Sequence, residues 1–477
     1  MKKNIVTLLI FLGLISVMVS CNVSDPDTDT PGNSSGTPTG PISGQDVVVD
    51  VTKVVVLDFV GFGTQYNQNV YSTFSAVEGI TPGNIGQLEA KVKALKSQYV
   101  RIFFDSKAWP DQPDYSATTA DFMDSFVKTV KLAQDAGPAT INITYWHTAR
   151  AEKMPAFADV LYDLIVTHGL TSVTQVTIQN EVNTTSITMD AYKACYSSLD
   201  QALKELGIRN LIRFVGGDLV ETNQQGWFTY MATNMSDLLY GYSSHIYWND
   251  YDATKPVKRL TEVANIVKGL GTAQKPRYVT EFGVRGGSKT TDDPVVGNLT
   301  GTSTPISQTT VAALQNALFQ INGLNLGYAG FIRWDCYKAK YDGSTQHFSC
   351  IGNGTDGYPL YPLYYMTYLF THTSEPGWQV VSSTSGSTNN SAIVAAVMTN
   401  SNASAQTVYA INMYPDTVNY TVGGLVPNKE YTLCSFNSNG NGLLEKSSAT
   451  ASAAGVIRDT AMPKSLIAIT TLDVTLP

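Results

Sequence analysis

Two carboxylates draw attention by where they fall. Glu181 follows the apolar run Val173–Gln179 (VTQVTIQ) in the tripeptide Gln179-Asn180-Glu181. Glu281 lies in Thr280-Glu281-Phe282-Gly283, at the end of the run Arg277–Phe282 (RYVTEF). Two carboxyl groups brought to one face are what hydrolysis of a glycosidic bond needs. In the retaining form one is a general acid/base and the other a nucleophile, about 5–5.5 Å apart. The acid needs a raised pKa and the nucleophile must stay ionised, so their surroundings should differ. Asn180, beside Glu181, is placed to bond a sugar hydroxyl. Arg101 lies in an apolar run (Tyr99-Val100-Arg101) where an unpaired charge is expensive. It requires an acid partner, and Glu281 is the candidate.

Sugar rings present C–H faces that stack on aromatic rings. Of the six Trp, Trp109, Trp146, Trp227, Trp248 and Trp334 fall at or after apolar runs; Trp378 alone falls elsewhere. Trp334, Trp146, Trp248 and Trp109, with His147 and Tyr66, are candidate substrate contacts. Asn67, Asp58, Asp105 and Asp218 are further polar groups near such positions, equally readable as structural. No His/Cys/Asp spacing resembles a metal site, and there is neither a Gly-x-Ser-x-Gly elbow nor a P-loop. No cofactor is implied.

The elements that must hold these residues alternate. Short β-branched and apolar runs begin with Lys53–Phe59, Gln98–Phe104, Ala139–Tyr145 and Val173–Gln179. Leu211–Val215, Leu239–Ile246, Arg277–Phe282 and Ala329–Trp334 complete eight. They are nearly continuous in apolar character, as strands covered on both faces are. Helical patterns lie between them: Asp121–Ala136, Asp190–Leu206, Pro256–Leu270, Thr309–Ile321 and the aromatic Tyr361–Phe370. Eight such units predict an α/β fold, a (β/α)8 TIM barrel. A doubly wound sheet would want a Gly-rich turn after its first strand, and Gly61-Phe62-Gly63 lacks the third Gly. Residues 378–477 are rich in Ser, Thr, Asn, Val and Gly with alternating runs and no helical pattern, which predicts a C-terminal β-sandwich. The expected divisions are 47–374 for the barrel and 375–477 for the sandwich. In a barrel the active residues sit at the carboxyl ends of strands, where Glu181 and Glu281 both fall.

With these residues in place, the chain resembles the clan A glycoside hydrolases, the retaining (β/α)8 glycosidases, over about residues 53–372. The resemblance implies that Asn180-Glu181, ending strand four, carries the acid/base and that Glu281, ending strand seven, is the nucleophile. It implies that Arg101 on strand two helps hold the nucleophile ionised. His245-Ile246-Tyr247 matches the cluster after strand six, which implies that His245 and Tyr247 support the carboxylates, and Trp334 matches the Trp that ends strand eight. The trailing sandwich matches clan members that pack one on the barrel.

The N-terminus reads as an address. Lys2 and Lys3 precede the apolar run Ile5–Val19, then Ser20 and Cys21. This resembles a bacterial lipoprotein signal over 1–20, with Cys21 as the lipidated residue, and the acidic start Ser24–Asp27 resembles a Bacteroidetes surface-export signal. Residues 21–46 are Ser, Thr, Pro, Gly, Asp and Asn almost throughout and read as a flexible linker. The expected location is the bacterial outer membrane or cell surface, with a periplasm-facing placement as the alternative and a lipid anchor as the only membrane contact. The 477 residues have mean hydropathy −0.06 and a net charge of −8, which argues against a nucleic-acid partner. Five Cys are too few for a disulfide framework, although Cys336 and Cys350 flank one loop and a bond between them is conceivable in an oxidising setting.

The expected activity is retaining hydrolysis of a β-linked oligo- or polysaccharide, endo action favoured. The alternatives are a non-catalytic glycan-binding lipoprotein on a glycosidase-like barrel, and an adhesive lipoprotein whose working part is the sandwich. The long polar loop Val284–Thr304 is a candidate cover for one side of a cleft.

Overall fold

The computed structural model describes residues 46–105, 119–137, 140–249, 255–273, 275–284, 308–341, 348–385, 393–438 and 442–477. The signal and linker readings, with Cys21, lie outside these residues, as do Trp109 and residues 285–304 of the candidate cover. Gly44–Pro477 form one compact unit.

Strand β1 (Val47–Val56) comes first, and eight strands of the barrel follow. They are β2 (Gly61–Tyr66), β3 (Tyr99–Asp105), β4 (Thr140–Trp146), β5 (Val173–Ile178), β6 (Arg213–Leu219), β7 (Leu239–Trp248), β8 (Arg277–Val284) and β9 (Tyr328–Arg333). All are parallel to their neighbours, and β9 pairs with β2 to close the barrel. The helices α1 (Ile85–Leu95), α2 (Thr119–Asp135), α3 (Met154–Tyr162), α4 (Met189–Glu205), α5 (Gln224–Asn234), α6 (Lys255–Gly269), α7 (Thr310–Asn325) and α8 (Pro362–His372) each follow one of these strands. This is the expected (β/α)8 barrel.

The opening strand corrects the sequence reading. Lys53–Val56, read as the start of the first barrel strand, belongs to β1, which pairs with the C-terminal sheet. The barrel opens instead at Gly61–Tyr66, whose glycines read as a turn. Gly63 is there because β3 passes close by: a Cβ would lie 2.0 Å from the Tyr99 carbonyl oxygen. Glycine in a strand often marks such an approach.

Strand alternation sorts side chains between the barrel interior and the helix layer. On β3, Tyr99, Arg101 and Phe103 point inward: the Tyr99 hydroxyl donates to Gln175 on β5, and Phe103 packs on Trp334. Phe104 points outward onto Phe126 of α2 and Phe157 of α3. Three helices, α1, α3 and α5, went unread in the sequence. They are short, at 11, 9 and 11 residues, so the periodic signal in each is brief.

Eight further strands are β10 (Gln379–Ser385), β11 (Ile393–Thr399), β12 (Gln406–Asn412), β13 (Val418–Gly423), β14 (Glu430–Asn437), β15 (Leu444–Thr450), β16 (Ile457–Ala461) and β17 (Ser465–Thr470). With β1 they make a nine-stranded sheet in the order β15-β14-β17-β12-β11-β10-β1-β13-β16, antiparallel except where β1 meets β13. On β12, Val408 and Ala410 enter an apolar core enclosed by the sheet, while Tyr409 and Ile411 join the barrel's core. Both faces of this strand are buried, which fastens sheet to barrel. Among the described residues no helix is long and apolar enough to cross a membrane.

Candidate active site

The site is built around Arg101. Its Nε donates to Thr144 Oγ1 at 2.8 Å, one Nη to Glu281, and the other to Asn180 Oδ1 at 2.6 Å and Asp218 Oδ2 at 2.5 Å. Side chains from β3, β4, β6, β8 and the residues after β5 thus meet on one guanidinium. Arg101 is wholly buried. Burial opposes its charge, but Asp218 and Glu281 outweigh this and raise its pKa.

Glu281 reaches the interior through an irregularity in β8. The register between β7 and β8 slips at Ser244/His245, and that between β8 and β9 slips between Val279 and Phe282. Such slips re-aim side chains beside active sites. Thr280 and Glu281, neighbours in sequence, both bond inward, while Phe282 stacks outward on Phe319. The second Glu281 oxygen accepts from the Tyr247 hydroxyl at 2.8 Å.

Glu181 sits just past β5 with φ of 46°, and Gln179 before it has φ of 67°. His147 and Asp218 also have positive φ, at the ends of β4 and β6. Left-handed backbone at non-glycine residues is uncommon, and strain of this kind gathers at functional sites. His245 bridges the carboxylates: its Nδ1 lies 3.1 Å from Glu181 Oε1 and 3.4 Å from Glu281 Oε2. Its Nε2 lies 3.6 Å from Asp218 Oδ1, an ion-pair distance. Burial works against a charged ring there, but Glu281 and Asp218 prevail and push His245 up to about 9.

Asp218 was legible only as a polar residue after a strand. It is completely buried and also accepts from Ser243 at 2.7 Å and Thr280 at 2.5 Å. Burial would raise its carboxyl; Arg101 and His245 overcome this and hold it well below the usual carboxylate range. Gly217 before it has φ of 123°, and a Cβ there would meet the Ser243 carbonyl oxygen at 2.6 Å.

The Glu181, His245 and Glu281 ligand atoms all lie within 4.8 Å of one another. Such a trio is also the kind that holds a divalent ion, but a guanidinium on Glu281 and a protonated imidazole both oppose a cation. The surroundings of the two glutamates differ: the Glu181 side chain is 28% exposed and that of Glu281 7%.

Beside them lies an aromatic floor of Phe103, Trp334, Tyr341 and Phe348, with Trp146 and Tyr247 packed against it. His147 stacks on Trp146 and its Nε2 lies 2.9 Å from Asp105. Phe103 is two residues beyond Arg101 on the same strand face, a signal that could have found it. Tyr341 and Phe348 fall in the connection after β9, where no periodicity announces them.

Other candidates lie elsewhere. Trp248, read as a substrate contact, is 1% exposed, stacks on Phe319 of α7 and donates to Gln315; it is the outward residue after inward Tyr247. Trp227 packs on Tyr192 in the helix layer. Tyr66, also read as a substrate contact, is fully buried against Tyr337, on the opposite face of β2 from Gln65. Asn67 is buried and donates to the Ala339 carbonyl, securing the loop after β9. The exposed Asp58 lies 3.9 Å from Arg213, at the start of β6. Cys336 and Cys350 are free, buried thiols.

A closed eight-stranded parallel barrel with a C-terminal, mostly antiparallel sheet is a fold this chain shares with solved structures of glycoside hydrolases. The sequence matches no family model and no curated relative. Similar solved structures include SrfJ from Salmonella typhimurium, with TM-score 0.65 and 12% identity over 92% of this chain and 95% of that one. A GH30 endoxylanase from Clostridium papyrosolvens gives TM-score 0.60 and 14% identity over 90% and 100%. An alpha-L-arabinofuranosidase from Thermotoga maritima gives 0.63 and 15% over 90% and 99%. At such identities the likeness is one of fold.

Proposed function

We propose that this protein is a retaining glycoside hydrolase acting on a β-linked oligo- or polysaccharide, with endo action favoured. The observation that carries the reading is the approach of Glu181 and Glu281 to within 4.8 Å across His245. That spacing suits double displacement; inverting enzymes keep their carboxyl groups roughly 6.5–9.5 Å apart to admit a water.

In this mechanism a Glu281 oxygen attacks the anomeric carbon and forms a glycosyl ester. The glycosidic C–O bond breaks, and the departing oxygen takes the proton of Glu181. Glu181 then removes a proton from water, whose oxygen attacks the same carbon and frees Glu281. Arg101 and the Tyr247 hydroxyl hold one Glu281 oxygen each, which aims the carboxylate. Asn180 gives its Oδ1 to Arg101, leaving Nδ2 for a sugar hydroxyl. Trp334, stacked on Tyr341 by one face, and Trp146, stacked with Phe103 and His147, supply the aromatic surface against which a sugar ring would lie. The test is NMR of the anomer first released from a β-glycan, with Glu281→Gln alongside. Retention that disappears in the variant supports the reading, and inversion refutes it.

Export and lipid anchoring through Cys21 belong to the same reading, supported by the pattern of residues 1–21. Release of the protein from membranes by Cys21→Ser tests it.

A further inference from the structure

Three buried polar atoms near Glu281 make no close hydrogen bond to the protein: Gln65 Nε2, Tyr341 Oη and Asp335 Oδ1, the Gln65 amide and the Tyr341 phenol facing each other. Their residues are 0%, 5% and 1% exposed. They come from neighbouring parts of the barrel. Gln65 Oε1 accepts from Arg101 at 3.4 Å, which sets its amide next to the Arg101–Glu281 pair. The Gln65 carbonyl accepts from Cys336 N at 2.9 Å, which ties the end of β2 to the residues after β9, where Asp335 lies. Tyr341 stacks under Trp334, with centroids 5.0 Å apart, and meets Phe103 edge-on. Asn69 Nδ2 donates to its carbonyl at 3.1 Å and holds it there. Buried polar groups are ordinarily paired, so three orphans together ask what they are built to meet.

We infer that Gln65, Tyr341 and Asp335 form a notch that takes the hydroxymethyl arm of a hexopyranose, making them specificity-determining residues. The amide and phenol can donate and the carboxyl oxygen can accept, and a hydroxyl needs both. Burial pushes Asp335 up to about 7, with Arg333 opposing, so its carboxyl can also offer a proton near neutrality. The notch lies under the aromatic floor, where a hydroxyl on a rotating methylene reaches further than one set directly on the ring. The side of the sugar follows from barrel order and rests on the hydrolase reading. Glu181, after β5, marks the leaving group; β9 and β2 lie across the barrel from it. The notch therefore meets the glycone.

Calorimetric titration of the full chain with two kinds of iminosugar tests this without turnover. Gluco- and galacto-configured 1-deoxynojirimycin carry the arm; 1,5-dideoxy-1,5-iminoxylitol lacks it. The expected result is at least about 10-fold tighter binding of an arm-bearing compound. Tyr341→Phe and Asp335→Asn should each bring it to within about 2-fold of the iminoxylitol, whose own affinity stays put. Tyr341→Phe removes a hydroxyl whose polar neighbour, the Gln65 amide, makes no close bond to it, so its unfolding temperature should change little. Equal affinities in the parent, a preference that survives both variants, or no binding at all overturns the inference. The hydrolase reading fails separately: if no glycoside yields a retained anomer while the iminosugar preference persists, the notch stands and that reading falls.

Discussion

Arg101 and Asp218 meet at 2.5 Å with both side chains wholly buried, and Arg101 holds Glu281 with the rest of the same guanidinium. A charge in the barrel interior is tolerated only because it is shared this way. Removing one partner of a buried pair typically costs about 3–5 kcal/mol, because the other charge is left uncompensated. Asp218→Ala should therefore lower stability by about that much, read as a shift in the urea midpoint. An unchanged midpoint would show that the pair is not holding the barrel together.

Glu181→Gln should depend on the leaving group. General acid catalysis contributes about 10²–10⁴-fold, and only where the departing oxygen needs a proton. An unactivated β-glycoside should slow by about that factor. A 2,4-dinitrophenyl glycoside should lose much less in its first step, because its phenolate leaves unaided. Equal losses on both substrates would remove Glu181 from the acid role.

His245 sets a pH dependence with a definite sign. Its folded-state pKa is raised from 6.5 to about 9, burial opposing and Glu281 and Asp218 prevailing. Protonation therefore favours the folded protein. The contribution is full below about pH 6.5 and is lost as pH rises through about 9. The unfolding temperature should fall over that window, and His245→Asn should flatten the fall even though it starts lower. Asp218, whose pKa is depressed, acts at the other end: its contribution is present above about pH 3.8 and fades as pH drops below it. Parallel slopes in parent and His245→Asn would contradict the assignment.

Two tryptophans at the ends of strands should behave oppositely. Trp248→Ala empties a buried slot against Phe319 and should cost about 3–5 kcal/mol of stability while leaving KM unchanged. Trp334→Ala opens the floor beside Glu281 and should raise KM for a β-glycan about 10-fold. A KM effect at Trp248 of the same size would reverse the placement of that ring.

These contrasts show which features local sequence decides. Alternation of apolar runs and helical patterns made the barrel and the later sheet readable, because burial imposes a period on each element by itself. The positions of Glu181 and Glu281 at strand ends were readable for the same reason, Arg101 as a charge in an apolar run that needs an acid, and His245 and Tyr247 through the resemblance. Tertiary structure decided the rest. Val47–Val56 is strand-like in any context, and only the partners offered by Gln379–Ser385 and Val418–Gly423 assign it to the sheet rather than the barrel. Tyr247 faces the site and Trp248 the helix layer because adjacent strand residues point to opposite faces, and the face depends on register. The slip in β8 turns both Thr280 and Glu281 inward, which no period of two foretells. Tyr341 and Asp335 come near Glu281 through a connection with no period at all. The chain's pattern therefore determined which elements form and which ends carry acids; closure of the barrel determined which of those groups share one guanidinium, because that is a matter of distance across eight strands.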